Sequence, residues 1–294
     1  MNVTIATDRQ DPVTQIAEYL SSRGRFGRKE VRVTPCASGS SSLVRIIETA
    51  NEKSILKIRP EAAEEAQFLS IWDKTGVRVP RVLDQGRVGE YSFVLMEYVD
   101  APTLADPNAP KVLAEKSIYR KMGQALRRIH TAKASGFGPA IGGEAAYSEF
   151  GDWIRSTEVV SKIAFSMQLG LVKIEYGSIS RAIELLQAHV KKQTHSSFCH
   201  DDFHVANVFA TCPLTVFDPN PMFNDGYIDL SRSLVLHISE GGVSQDQFVD
   251  GYFDGDSHSE QLLYAAILFN AYLKFPYWYQ ARRSQQIENV RKFL

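Results

Sequence analysis

The sequence predicts an α+β chain of two lobes, a small β-rich N-terminal lobe and a larger, mostly helical C-terminal lobe. Three observations predict it. Short β-patterned runs and a single clear helix alternate before Met96, while long helical patterns dominate after Asp100. The third is size: 294 residues exceed one ordinary hydrophobic core, so one large or two modest lobes are expected. The change of pattern near Met96–Asp100 divides the chain into 1–97 and 98–294.

In chain order, Ile5 to Leu20 predicts an N-terminal helix capped by Asp11-Pro12. Val31-Arg32-Val33 and Leu43-Val44-Arg45-Ile46-Ile47 read as strands around the small-residue loop Ala37-Ser38-Gly39-Ser40-Ser41-Ser42. A third apolar β run, Ser54-Ile55-Leu56-Lys57-Ile58, carries Lys57 and is ended by Pro60. Glu61 to Trp72 is helical, with Ala62, Ala66, Phe68, Leu69 and Trp72 inward, Glu65 in its first half and Glu64 pointing elsewhere. Beyond the Phe93–Val99 run, Lys111 to His130 and Ile179 to Lys192 are long helical patterns. Gln261 to Phe275 predicts a core helix, and Phe275-Pro276-Tyr277-Trp278-Tyr279 after it suits core packing or a stack on a substrate ring.

The chemistry concentrates in His200-Asp201-Asp202-Phe203-His204-Val205-Ala206-Asn207 and the later Val216-Phe217-Asp218. This reads H-x-D-x-x-x-x-N, then a second Asp sixteen residues after the first. Phosphoryl transfer needs such a set: one carboxylate for the proton of an attacking hydroxyl, and an amide oxygen and a carboxylate to hold Mg²⁺. Asp202 takes the first role, Asn207 and Asp218 the second. That reading demands a phosphate-covering loop, a Lys on a following strand and a Glu on the next helix; the 37–42 loop, Lys57 and Glu65 answer it. Each has a plainer alternative: a polar hairpin turn, a snorkelling edge lysine, a solvated helix carboxylate. A rival chemistry also stands, a metal-dependent hydrolase built on the His200–His204 cluster.

The order of parts resembles the aminoglycoside phosphotransferase family and its relatives, the hygromycin phosphotransferases and the choline, homoserine and fructosamine kinases, all of protein-kinase-like fold. The resemblance runs from about Val31 to about Leu236. Glu65 to Trp72 followed by Gly76-Val77-Arg78-Val79-Pro80 is similar to E-x-x-x-L-x-x-L and G-V-x-V-P. Phe93-Val94-Leu95-Met96-Glu97-Tyr98-Val99 resembles the strand leading into the nucleotide hinge, and Leu126-Arg127-Arg128-Ile129-His130 the helix ending L-x-x-I-H. Gly136-Phe137-Gly138-Pro139 and Asn224-Asp225-Gly226-Tyr227-Ile228-Asp229-Leu230 are similar to two further family segments.

The resemblance implies ATP between the lobes, with adenine against the Glu97, Tyr98 and Val99 backbone and Ser40 at the β-phosphate. It further implies Lys57 at the α- and β-phosphates held by Glu65, Mg²⁺ on Asn207 and Asp218, and Asp202 as base, with His200 and Asp229 as braces. Two departures stand out. The family's His-Gly-Asp is His200-Asp201-Asp202 here, and the metal Asp is followed by Pro219-Asn220-Pro221.

Composition fits a soluble enzyme acting on a small-molecule hydroxyl substrate. A formal net charge of −1 gives no nucleic-acid-binding face. No apolar run reaches the roughly 18 residues of a spanning helix, and no signal pattern opens the chain. Three cysteines, Cys36, Cys199 and Cys212, suit a reduced cytoplasm, with Cys199 as buried packing. The chain is expected to be a monomer or homodimer. The acceptor reads as an aminoglycoside-like antibiotic or a metabolic amino alcohol or sugar, with a non-catalytic nucleotide-binding regulator as another class. An acidic pocket for a cationic aminosugar would draw on Asp152, Glu158, Glu175, Asp254, Asp256 and Glu260.

Overall fold

The computed structural model describes residues 11–26, 31–36, 43–107, 109, 117–170, 176–241 and 245–294. Ser40 and the rest of the 37–42 loop, the Ile5–Gln10 part of the first expected helix, residues 111–116 of the next long one, and Glu175 lie outside them.

The N-terminal part is an antiparallel sheet in the order β1-β2-β3-β5-β4. Its strands are β1 (Arg32–Pro35), β2 (Leu43–Glu48), β3 (Lys53–Ile58), β4 (Val82–Val88) and β5 (Tyr91–Glu97). Helix α1 (Pro12–Ser22) starts where Asp11 caps it, the carboxylate accepting from Thr14 N at 3.2 Å. Strand periodicity assigns the faces. Leu56 and Ile58 of β3 and Phe93 and Leu95 of β5 join Val13, Ile16 and Leu20 of α1 in one cluster. Val94 and Met96 face the other way, into the main core beside helix α2 (Ala62–Lys74). Lys57 lies between Leu56 and Ile58 on β3, so it shares that second face with α2.

The expected inward side of α2 is Ala62, Ala66, Phe68, Leu69 and Trp72, all essentially without solvent exposure. Each of its three large side chains contributes about 1.5–3 kcal/mol by burial. Trp72 also donates its Nε1–H to Phe198 O at 3.2 Å, tying the helix to the C-terminal part.

That part is helical, as expected, but it also holds a second five-stranded sheet that the sequence reading did not separate from loops. Its order is β6-β9-β12-β7-β8, built from β6 (Lys133–Ala134), β7 (Phe137–Ile141), β8 (Glu144–Tyr147), β9 (Ser196–Cys199) and β12 (Met222–Asn224). A two-stranded hairpin, β10 (Val208–Phe209) with β11 (Thr215–Val216), sits between. These strands are two to five residues long, too short for a period-2 pattern to emerge.

The helices are α3 (Ser117–Ile129), α4 (Phe150–Ile154), α5 (Thr157–Gln168), α6 (Tyr176–Val190), α7 (Gly226–Ser239), α8 (Gln245–Phe253), α9 (Glu260–Gln280) and α10 (Ser284–Phe293). Helices α3 and α8 touch backbone to backbone. A Cβ on Gly123 would come within 2.1 Å of Phe248 O, and one on Gly251 within 2.1 Å of Arg120 O.

Helix α9 packs against α5, α6, α7 and α10 and runs straight through the aromatic cluster expected after it. Pro276 therefore lies inside the helix, where it cannot donate to Tyr272 O. The buried Ser166 hydroxyl of α5 donates to that carbonyl instead, at 2.7 Å. The cluster divides: Phe275 and Trp278 are core, whereas Tyr277 and Tyr279 are about half exposed, at 48% and 49%.

Candidate active site

Lys57 Nζ lies 2.8 Å from Glu65 Oε2 and pairs also with the Asp218 carboxylate. The aliphatic face of β3 turns Lys57 inward, and the first turns of α2 bring Glu65 to it with no solvent exposure. Burial pushes the Glu65 carboxyl upward, and the charges of Lys57 and Arg59 offset part of that. Glu64 points elsewhere and accepts from Gly142 N at 2.9 Å.

Arg59, which received no role from the sequence, completes this ion network. Its guanidinium reaches Glu65 Oε2 at 3.4 Å, Pro219 O at 3.4 Å and Asp218 Oδ1 at 3.7 Å. The signal was its place two residues after Lys57, on the same side of an extended chain. At the end of β5, Glu97 receives Arg81 N at 3.3 Å and faces Arg78 at 3.5 Å. Lys53 lies over the Tyr98 ring, and Val99 O accepts from Ala101 N at 3.0 Å.

The segment from His200 to Asn207 is a braced loop. Asp229, in the first turn of α7, accepts from His200 N at 2.7 Å and Asp201 N at 2.8 Å. It also receives His130 Nε2 at 2.8 Å, and the other nitrogen of that ring bonds Tyr252 OH at 2.8 Å. Burial works against the Asp229 charge, but the His130 and His200 contacts outweigh it and hold the carboxyl below its usual range. His200 stacks on Trp72 at 5.4 Å and donates from Nε2 to Phe217 O at 3.0 Å. Burial lowers its pKa, which favours the neutral ring, and its bond to Phe217 O ties the loop to the Asp218 segment.

Asn207 binds Asp202 twice through Nδ2, to the backbone carbonyl at 2.8 Å and to Oδ2 at 3.1 Å. Its own carbonyl accepts from Phe217 N at 3.1 Å, which brings Asn207 beside the Asp218 segment. Because Nδ2 serves Asp202, the oxygen Oδ1 is the atom left for a cation. Together with the Asp218 carboxylate, 44% exposed, it is a hard oxygen donor set that fits Mg²⁺.

Asp202 has two dissimilar oxygens. Oδ2 faces Asn207 and the His204 ring, 3.6 Å away; Oδ1 faces Lys274 Nζ at 3.7 Å. Burial alone would raise this carboxyl, yet the His204 and Lys274 contacts hold it well below the usual carboxylate range. The group is therefore ionised at neutral pH and able to accept a proton or orient a hydroxyl.

Lys274 comes from α9 and was absent from the sequence reading. Asn270, one turn before it, donates to Ile228 O at 2.9 Å and Ser231 Oγ at 2.7 Å, locking α9 onto α7 in this register. Burial lowers the Lys274 pKa to about 8.

The His200–His204 pair does not converge. One ring turns to Phe217 O, the other to Asp202. Among the described residues, the one group near enough to share an ion is His130, Cys199 and Asp229, all buried and including neither His200 nor His204. His130 and Asp229 are already hydrogen-bonded to each other there.

A family model for the phosphotransferase enzyme family matches residues 32–260, most of the chain. The chain belongs to that family. Solved structures of similar fold include a candidate fructosamine-3-kinase from Haemophilus somnus 129PT, 16% identical, with 96% of this chain and 97% of that one covered and a TM-score of 0.64. Another is a thermostable mutant of aminoglycoside phosphotransferase APH(4)-Ia with AMP-PNP and hygromycin B, 16% identical, covering 94% and 97%, TM-score 0.65. Among curated proteins, the mouse (Mus musculus) acyl-CoA dehydrogenase family member 10 is 24% identical over 185 residues. That match takes in 58% of this chain and 16% of the mouse protein, so the chain spans a small part of that relative's length. The fold of this family member is thus the kinase-like one that the sequence predicts. No helix among its described residues is long and apolar enough to cross a membrane.

Proposed function

We propose that this protein transfers the γ-phosphate of ATP to a hydroxyl of a small molecule. The observation that carries the reading is the ionised Asp202 carboxylate, bonded to Asn207 and backed by the Lys57–Glu65–Asp218 network. In this reading 1–97 is the nucleotide-binding lobe, with Glu97, Tyr98 and Val99 beside the base and Ser40 at the β-phosphate. Residues 98–294 form the catalytic and substrate lobe.

Mg²⁺, when bound through Asn207 and Asp218, neutralises triphosphate charge. Lys57 moves from Asp218 toward the α- and β-phosphates while Glu65 keeps its amine oriented. Asp202 aligns the acceptor hydroxyl and takes its proton late. A bond forms between the acceptor oxygen and the γ-phosphorus, the bond to the β–γ bridging oxygen breaks, and ADP leaves. Positioning and charge stabilisation supply most of the acceleration.

For the acceptor, an aminoglycoside-like antibiotic asks for acidic side chains near Asp202. Three of the six candidates are paired elsewhere: Asp152 with Arg155 at 2.7 Å, Glu158 with Lys162 and Asp256 with Arg127 at 2.7 Å. Asp254 faces Arg120 at 3.7 Å. This favours a metabolic hydroxyl compound. The free cysteines suit the cytoplasm.

The test is ADP release with Asp202→Asn alongside calorimetry of Mg²⁺·AMP-PNP. The variant should lose on the order of 10²-fold or more in kcat and keep nucleotide binding. EDTA should abolish turnover reversibly. Full activity in the variant, or tight stoichiometric zinc in the purified protein, would overturn the reading.

A further inference from the structure

Lys274 is a largely buried cation whose partners do not match its needs. Its side chain is 14% exposed, yet its amine has no hydrogen bond among the described residues. Asp202 Oδ1 at 3.7 Å is beyond hydrogen-bonding distance, and the amine also lies over the Tyr277 ring, 4.8 Å from its centroid. The amine itself still reaches solvent, so a ligand can approach it, and three N–H donors on so shielded a side chain favour an acceptor there.

The surroundings are themselves basic. Arg283 lies over the same Tyr277 ring at 5.5 Å, and Arg232 and Arg283 repel the Lys274 charge while Asp202 and Asp201 attract it. The nearby acids are spoken for. Asp201 is held by Arg232 and Asn220, and Asp202 by Asn207. The side of Asp202 turned to Lys274 is also the side away from Asn207, and hence away from the metal donors. An acceptor approaching there meets Lys274 first.

We propose that the acceptor carries an anionic group, a carboxylate or a phosphate ester, close to the hydroxyl that is phosphorylated, and that Lys274 with Arg283 receives it. The inference rests on the phosphotransfer reading above and narrows its substrate class. An ammonium-rich acceptor would place like charge beside Lys274, whereas an anion would supply the hydrogen bonds its amine lacks. Tyr277, half exposed between the two cations, forms the wall of this site.

The experiment compares acceptors that differ in charge on one skeleton: glycerate and glycerol 3-phosphate against glycerol and 3-amino-1,2-propanediol. A second set is gluconate and glucose 6-phosphate against glucose and glucosamine. ADP release is measured for each. Anionic members should exceed neutral and amine members by about tenfold or more in kcat/KM. The carboxylate and phosphate arms tell the two sources apart. Lys274→Gln should erase that advantage, mainly by raising KM, and Lys274→Arg should restore part of it.

A second measurement does not depend on finding a good acceptor. Pyridoxal 5′-phosphate and pyridoxal are reduced onto the protein with borohydride, and the modified lysines are mapped. Lys274 should take the phosphorylated aldehyde about tenfold more readily, with glycerol 3-phosphate suppressing the labelling.

Equal labelling by the two aldehydes, or preferred turnover of neutral or amine acceptors, overturns the proposal. So does a Lys274→Gln variant that loses kcat alike for all acceptors, which would assign the amine to the transferring phosphate. Failure of the phosphotransfer reading looks different: no Mg²⁺·AMP-PNP binding and no ADP release, whatever the Lys274 labelling shows.

Discussion

Asn220 donates its Nδ2–H to Asp201 Oδ2 across 2.8 Å. These are the two places where the sequence departs from the family spelling, and they are one contact. The backbone repeats the link, with Asn220 N donating to His200 O at 2.9 Å. Asp201 has φ 55°, a left-handed backbone that glycine adopts freely and other residues at a cost of about 1–2 kcal/mol. A glycine at position 201 would meet this conformation without strain. Aspartate meets it here with side-chain bonds to Asn220 and Arg232 that offset the strain.

Asp201→Gly should consequently be close to neutral in stability, trading relief of the backbone against the lost bonds, and should keep most activity. Asp201→Ala keeps the strained φ and loses both partners, so it should cost about 1–2 kcal/mol in a denaturant titration. If Asp201→Gly abolishes turnover while Asp202→Asn does not, the working carboxylate is Asp201.

Lys57→Ala should strongly lower kcat and weaken nucleotide binding, since it removes the charge itself. Glu65→Ala leaves that charge and removes only its orientation, so its loss in kcat should be smaller. Arg59 remains beside the gap and limits the damage. Glu64→Ala removes only a bond from Gly142 N and should leave kcat within about twofold of wild type. Steady-state kinetics of the three variants checks the order.

The Asp229 brace should show itself in the pH dependence of stability. Its folded carboxyl titrates below the unfolded value of about 4, so its contribution is complete above that pH and fades as pH falls through the folded pKa. Asp229→Asn should cost about 2 kcal/mol or more at pH 7, because one backbone N–H would face an amide donor. Urea titrations from pH 7 to pH 3 should give a constant gap down to about pH 4 and a narrowing one below it. A gap independent of pH over the whole range would mean that the Asp229 charge is not what braces the loop.

Ser166→Ala should destabilise by about 1 kcal/mol without touching kcat, because it strips the one donor that replaces the missing N–H of Pro276. Pairing it with Pro276→Ala, which returns the helical donor to Tyr272 O, should recover part of that loss. Thermal melts of both variants measure it.

The sequence by itself determined the two-lobe fold class, because strand and helix periodicities leave local traces. It also determined the chemical types at the site: an acid, Asp202, five residues ahead of Asn207, Lys57 in an apolar strand, Glu65 on the next helix. The inward side of α2 was legible for the same reason, as five side chains spaced to one face. The second sheet was not, since its strands are too short to carry a period. Tertiary structure alone decided that Asn220 supports Asp201, that Arg59 joins the ion network, and that Lys274 stands over Asp202 from a helix seventy-two positions away in the chain. Such meetings depend on helix crossings and on bonds such as Asn270 to Ile228 O, which set the register of α9. A charged side chain's sequence neighbours fix the direction it leaves the backbone; only packing fixes what it meets.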